Sequence, residues 1–219
     1  MFEAVMFDWD GTLADTQQVV VASFQKALSE VHCKKSNKFI ERLIGIGSAE
    51  TFREILRSAN VGFDEKLIKS LVEKKVRNEI EMSDGVKLFE GSQQLLEALR
   101  GKVKLGLASM NDRAVISNLL KKTNTKSFFD AVVTAGDIVN PKPEPEIFLK
   151  CALKLRSKPC KCVVIEDSIF GAEAAKKAKM GCIVVLTGAY SRKELKNANP
   201  DLIVNSLKAK NKVLKFIFH

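Results

Sequence analysis

A chain of 219 residues is long enough to bury a sizeable core, as one domain or as two small ones. Its 46% apolar and 28% charged residues exclude a disordered or fibrous protein. No apolar run approaches the roughly 20 residues of a membrane helix, so no membrane partner is expected. The formal charge of +10 raises the question of nucleic acid. Its lysines and arginines, however, are spread through helical segments rather than gathered with aromatics on one strand or loop. Lys208, Lys210, Lys212 and Lys215 read as a solvated helix face, and a positive field also suits a small anionic substrate. No nucleic-acid partner is expected.

Five cysteines, an odd number without framework spacing, fit a reducing cytoplasm. The N-terminus runs straight into a strand with Glu3 in it, without the pattern of a secretory signal. A cytoplasmic protein is therefore expected. Cys160 and Cys162 form a lone C-x-C, read as buried structural thiols rather than half of a zinc site. Histidine is nearly absent: only His32 and His219 exist, which excludes a Ser-His-Asp triad and a multi-histidine metal site. Any chemistry falls to carboxylates, lysines and hydroxyls.

The first strand signal, Val5-Met6-Phe7, runs into Asp8-Trp9-Asp10-Gly11-Thr12. Residues two apart on an extended chain share a side, so both carboxylates can face one small volume. Like charges that close require a cation between them or a proton on one, so the pair is a metal site, an acid/base pair, or both. Residues 16–82 then carry helical spacing without a strand-like run. From Gly91 the rhythm becomes alternation: helix 93–100, strand 103–108, helix 113–122, strand 131–134, helix 146–155, strand 162–165, helix 171–179, strand 182–186, and an edge strand at 202–204. Alternation implies an α/β fold, a doubly wound parallel sheet that includes the first strand. The helical block is then an insertion, with linkers at 15–20 and 83–91.

Ligands of such sheets sit at the carboxyl ends of the strands. Past the ends of successive predicted strands lie Asp8 and Asp10; Ser109, Met110 and Asn111; Asp137 and then Lys142 between two prolines; and Glu166, Asp167 and Ser168. Asp8, Glu166 and Asp167 offer hard oxygen ligands of the kind Mg²⁺ prefers. Ser109 and the backbone N–H groups after Asp10 can donate to an anion, and Lys142 supplies a compact positive charge. This combination describes phosphoryl transfer to a carboxylate. Asp137 reads as a loop cap rather than a ligand, and Asp15 as the cap of the first inserted helix.

The chain resembles the haloacid dehalogenase superfamily, in the branch with a helical cap inserted after the first motif, similar to beta-phosphoglucomutases and phosphoglycolate phosphatases. The matching stretches are DWDGTLADT, Ser109 in LASMN, Lys142 in NPKPEPEIF, and VVIEDSIFGAEAAKKAKMG. They recur in the family's order from end to end of the chain. The resemblance implies a Rossmann-like catalytic core over 1–15 and 84–219 and a helical cap over 16–83. It implies that Asp8 is the nucleophile and becomes a phosphoaspartate, and that Asp10 is the general acid and base. Mg²⁺ would be held by Asp8, the Asp10 carbonyl, Glu166 and Asp167. The phosphoryl group would be held by Ser109 and Lys142 with the segments at Gly11, Thr12, Met110 and Asn111.

The expected activity is Mg²⁺-dependent hydrolysis of a small phosphorylated metabolite, such as a sugar phosphate or phosphoglycolate, by a monomer or homodimer. Asp10 separates the chain from true dehalogenases, which lack that acid. Beta-phosphoglucomutases carry a histidine and an arginine in the cap where Val20 and Ser48 stand here, which favours hydrolysis over a mutase, the runner-up. A non-catalytic binding or regulatory protein on the same scaffold is the rival of another class. Specificity is expected around residues 44–52, which include Gly45-Ile46-Gly47, and around 74–78.

Overall fold

The computed structural model describes residues 1–219. The chain enters through β1 (Ala4–Phe7), passes a tight loop and forms the two-residue strand β2 (Ala14–Asp15). Four helices follow: α1 (Gln17–Leu28), α2 (Asn37–Glu41), α3 (Ser48–Ser58) and α4 (Glu65–Met82). Strand β3 (Lys87–Leu88) then returns antiparallel against β2, with Lys87 opposite Asp15. The helical insertion thus leaves and re-enters through one short ribbon. Its own core, with Phe24, Phe52, Ile55 and Leu56 fully or nearly fully buried, is drawn entirely from residues 20–71.

The remaining chain alternates as expected: α5 (Ser92–Leu99), β4 (Lys104–Ala108), α6 (Arg113–Lys122), β5 (Ala131–Val133), α7 (Glu146–Lys154), β6 (Cys162–Glu166), α8 (Ile169–Lys177), β7 (Gly181–Val185), α9 (Arg192–Lys196), β8 (Leu202–Val204) and α10 (Lys210–Phe218). The six long strands form one sheet in the order β5-β4-β1-β6-β7-β8, every pair parallel. Strand β1 is fully buried on both faces: Ala4 and Met6 join one hydrophobic layer, Val5 and Phe7 the other. The chain moves from β1 outward to β4 and β5, then crosses back to place β6 on the other flank of β1. That reversal opens a crevice beyond the carboxyl ends of β1, β4 and β6, where doubly wound sheets bind ligands.

Several local expectations are corrected. Asp15 does not cap α1; it is exposed in β2, and the N-cap is Thr16. A paired strand residue turns its side chain out of the ribbon and cannot reach the helix amides. Helix α8 begins two residues before the expected Gly171, because the Ser168 hydroxyl accepts from the Gly171 amide and caps it. Cys160 is exposed, whereas Cys162 is buried at the start of β6. Asp137 does cap its own turn, accepting from the Thr134 amide at 2.7 Å. No helix is long and apolar enough to cross a membrane.

Candidate active site

The crevice gathers Asp8, Asp10, Ser109, Asn111, Lys142, Glu166 and Asp167, all buried. Asp8 directly follows β1, and its amide donates to the Ile165 carbonyl at 3.0 Å, extending the ladder to β6 by one residue. Lys142 arrives from the β5–α7 loop and its side chain is wholly buried. Its Nζ lies 2.8 Å from Asp8 Oδ1 and 2.5 Å from Glu166 Oε1, and 5.1 Å from the centre of the Phe148 ring. Glu166 uses its other oxygen to accept from the Asp167 and Ser168 amides and the Ser168 hydroxyl. Glu166 therefore anchors the lysine and the β6–α8 turn together.

Asp8, Glu166 and Asp167 each present an oxygen, and these oxygens lie within 4.8 Å of one another. Against one ammonium, three carboxylates leave an excess of two negative charges, the complement of a divalent cation. The electrostatics agree. Burial pushes the Asp8 carboxyl up to about 8; Glu166 and Asp10 add to the rise and Lys142 opposes it. Asp167 is raised well above the ordinary range by burial, then by Glu166 and Asp8, with the Thr12 hydroxyl opposing. Burial lowers Lys142, but Asp8 and Glu166 outweigh that and hold it charged. The residues therefore fit a hard divalent cation, and none of them is the soft thiolate a zinc site would favour.

The Asp10 carboxylate is not part of that cluster. Its Oδ1 accepts from the Thr16 hydroxyl at 2.7 Å, and its Oδ2 faces the Asn111 amide at 3.3 Å and the Ser109 hydroxyl at 3.5 Å. The two acids that open the site thus diverge: one faces the cation cluster and lysine, the other the helical insertion.

At Gly11 and Thr12, two expected phosphate contacts, the polar groups have partners within the protein. The Thr12 hydroxyl donates to Asp167 Oδ1 at 3.0 Å, so this side chain orients an acid. The amides of Gly11 and Thr12 are already taken by the Ala14 and Trp9 carbonyls, because the loop after Asp10 folds back on itself. Met110 and Asn111 line the cleft beyond the end of β4, and the fully buried Ser109 beneath them accepts from the Asn111 backbone amide through its hydroxyl at 3.1 Å.

Between the crevice and the insertion is a cleft of about 30 Å³, room for about two waters, lined by Asp8, Asp10 and Asn111 below and by Val20, Ser48 and Lys75 above. Lys75 and Glu79, one helical turn apart on α4, are both buried and in contact. Lys75 donates to Asn111 Oδ1 at 3.0 Å, and Asn111 donates to Glu79 Oε1 at 2.7 Å. Burial raises the Glu79 carboxyl, Lys75 opposes that, and Asp10 adds to it. The residues 74–78 singled out in the sequence include Lys75 but not Glu79. The sequence does carry a signal for it: Ile68 and Leu71 form an apolar stripe that Lys75 and Glu79 continue, so two charges occupy a buried face.

Two glycines also escape sequence reading. A Cβ on Gly171 would lie 1.9 Å from Glu166 Cδ and Oε1, and one on Gly188 would lie 1.8 Å from Asp167 Oδ2. Both acids can occupy their places only because these positions lack a side chain. Gly188→Ala is expected to displace Asp167 and weaken divalent-cation binding about 10–100-fold, read by calorimetric titration.

The family model described as haloacid dehalogenase-like hydrolase matches residues 5–185, from β1 through β7. The chain belongs to the haloacid dehalogenase-like hydrolase family. A phosphorylated carbohydrates phosphatase of Thermotoga maritima is 30% identical over 178 residues, 80% of this chain and 81% of that one. The chloroplastic protein SUPPRESSOR OF QUENCHING 1 of Arabidopsis thaliana is 31% identical over 208 residues, 91% of this chain; the match spans only 19% of that longer protein. Among solved structures, the beta-phosphoglucomutase of Clostridium difficile superposes with a TM-score of 0.86 at 29% identity, covering 100% of both chains. The family match thus spans five of the six sheet strands and leaves only the edge strand β8 outside it, and the expected class, a hydrolase of phosphoric monoesters, is that of named relatives.

Proposed function

We propose that this chain is a Mg²⁺-dependent phosphatase that hydrolyses a small phosphorylated metabolite, such as a sugar phosphate, through a phosphoaspartate on Asp8. The observation that carries the reading is the divergence of the paired acids. A carboxylate pinned by a lysine beside a cation cluster, and a second one outside it with hydroxyl and amide donors, is the division of labour two-step phosphoryl transfer needs.

In the first step an Asp8 oxygen attacks phosphorus and the ester oxygen leaves with a proton from Asp10. In the second, Asp10 takes a proton from water, the water oxygen bonds to phosphorus, and the acyl phosphate opens to regenerate the Asp8 carboxylate. Lys142 and Ser109, with Met110 and Asn111, would hold the transferring group. Asp8, Asp167 and the Asp10 carbonyl would hold Mg²⁺, with Glu166 helping directly or through water while it anchors Lys142. When bound, Mg²⁺ would offset the charge on the phosphoryl oxygens. We further assign residues 16–83 as a cap over a core of 1–15 and 84–219. The cap would open on the β2–β3 ribbon to load substrate and close over it to exclude water. The five free thiols accord with a cytoplasmic location.

The test is phosphate release from a phosphoester panel with Mg²⁺. No release from any ester would sink the reading. A product isomerised in the presence of a bisphosphate activator, instead of free phosphate, would establish the mutase alternative. Val20 and Ser48, both lining the cleft, supply neither an imidazole nor a guanidinium for that reaction.

The raised carboxyls give a pH signature with a definite sign. In the folded, metal-free chain Asp8 keeps its proton to about pH 8, whereas an unfolded aspartate loses it near 4. The folded state therefore binds more protons across that window, and stability in EDTA is expected to fall as pH rises through it. Mg²⁺ competes with those protons, so the rise in melting temperature it gives is expected to grow from pH 5 to pH 8. A flat or opposite trend in thermal melts would refute this.

A further inference from the structure

The cleft has a charge arrangement that bears on what the leaving group can be. Of the residues lining it, Lys75 is the one cation on the side of the insertion; the rest of that side is Val20, Phe24, Ile44 and the hydroxyls of Ser48 and Thr51, with two glycines. The adjoining opening beside Asp10 and Thr16 is lined by Gln17 and the carboxylate of Glu41 and by no cation at all. Lys142 is occupied by Asp8 and Glu166. Lys75 is itself paired, since Glu79 is buried against it on the same helix.

We propose that Glu79 determines specificity by cancelling the charge of Lys75, so that the cleft accepts the monophosphate of a neutral polyol and rejects esters whose leaving group carries a carboxylate or a second phosphate. The inference rests on the phosphatase reading above and narrows its substrate class. A second anion placed here would shed its water and meet no unpaired cation. A hydroxylated leaving group meets complementary partners instead. Lys75 has spent two of its three N–H donors, on Asn111 and Glu79, and can give the third to a hydroxyl. Ser48 can donate or accept, and the Phe24 ring, 5.2 Å from Lys75 Nζ, offers its face to the C–H side of a polyol. The chain's overall positive charge draws any phosphate toward the site; the neutral cap face selects among those that arrive.

The experiment measures kcat/KM with Mg²⁺ for p-nitrophenyl phosphate, glycerol 1-phosphate, hexose monophosphates, a hexose bisphosphate and phosphoglycolate. At least one polyol monophosphate is expected to exceed both phosphoglycolate and the bisphosphate by about tenfold or more. Glu79→Gln, which leaves Lys75 charged and unpaired, is expected to shift the ratio of phosphoglycolate to polyol phosphate upward by about tenfold. Lys75→Gln/Glu79→Gln, neutral by another route, is expected to keep the wild-type order and serves where the single variant does not fold. Phosphoglycolate or the bisphosphate matching the polyol phosphates in the wild type overturns the proposal, as does an unchanged ratio in folded Glu79→Gln or a reversed order in the double variant. Hydrolysis of p-nitrophenyl phosphate separates the two levels. Its absence, with every other ester inert, removes the phosphatase reading itself, whereas its presence with the wrong preference removes only the role of Glu79.

Discussion

Asp8→Asn is expected to lower phosphate release by about 10⁴-fold or more while leaving the protein folded. The amide keeps the shape and can still accept from Lys142, but it is no nucleophile and offers a poor ligand to a cation. The same substitution is expected to raise stability in EDTA. Asp8 is one of three buried acids that crowd one ammonium, and its carboxyl is pushed up to about 8 by burial and by those neighbours. Above that pH an ionised Asp8 destabilises the metal-free fold, by on the order of 1.4 kcal/mol for each pH unit between its pKa and that of an unfolded aspartate, and an asparagine avoids the cost. The variant should therefore melt higher than the wild type at pH 8 without metal, converge with it near pH 4, and lose most of the Mg²⁺-dependent gain. An inactive variant that is also less stable in EDTA at pH 8 would show that the site is held by something other than charge crowding.

Most of this machinery is legible in the sequence because chemistry and topology coincide there. Each acid, hydroxyl or lysine that succeeds an apolar run lies at a carboxyl strand end, and a parallel sheet brings those ends together whatever the intervening residues are. Helix α6 and strand β8 fall where periodicity places them, since Arg113 follows a capping Asp112 and Leu202–Val204 is bounded by turns. Other features have no local signature. The β2–β3 ribbon is two residues on each side, too short for a period of two to register, and its partners are far apart in sequence. For that reason Asp15 reads as a helix cap, and nothing local shows that Thr16 holds Asp10. The Thr12 hydroxyl falls among the expected phosphate contacts because its actual partner, Asp167, lies 155 residues away in sequence. Glu79 shows the converse: its charge on a buried stripe, and that of its partner Lys75 on the same helix, are visible in the sequence, but its second partner, Asn111, lies beyond β4.

Removal of the Lys142 ammonium should be the most damaging single change to stability. The side chain is wholly buried, so Lys142→Met fills its space and leaves Asp8, Glu166 and Asp167 without their one internal cation. Breaking a buried pair by deleting one partner costs about 3–5 kcal/mol, because the surviving charges can neither reach water nor pair elsewhere. The loss has a predictable pH dependence. Without the ammonium the Asp8 and Asp167 carboxyls rise further, so the folded state binds protons over a wider window, and the deficit must grow as pH rises and shrink toward acid, where those two are protonated. Mg²⁺ should recover part of the stability at pH 8 by supplying positive charge to the same oxygens, yet restore little turnover, since nothing then bridges Asp8 and Glu166. Lys142→Arg keeps the charge but not the compact head group that fits 2.8 Å from one carboxylate and 2.5 Å from the other, so it should rescue neither property fully. Urea titrations of both variants at pH 5 and pH 8, with and without Mg²⁺, decide the matter. A deficit that is equal at the two pH values would mean that packing around Phe148, and not charge, is what the lysine provides.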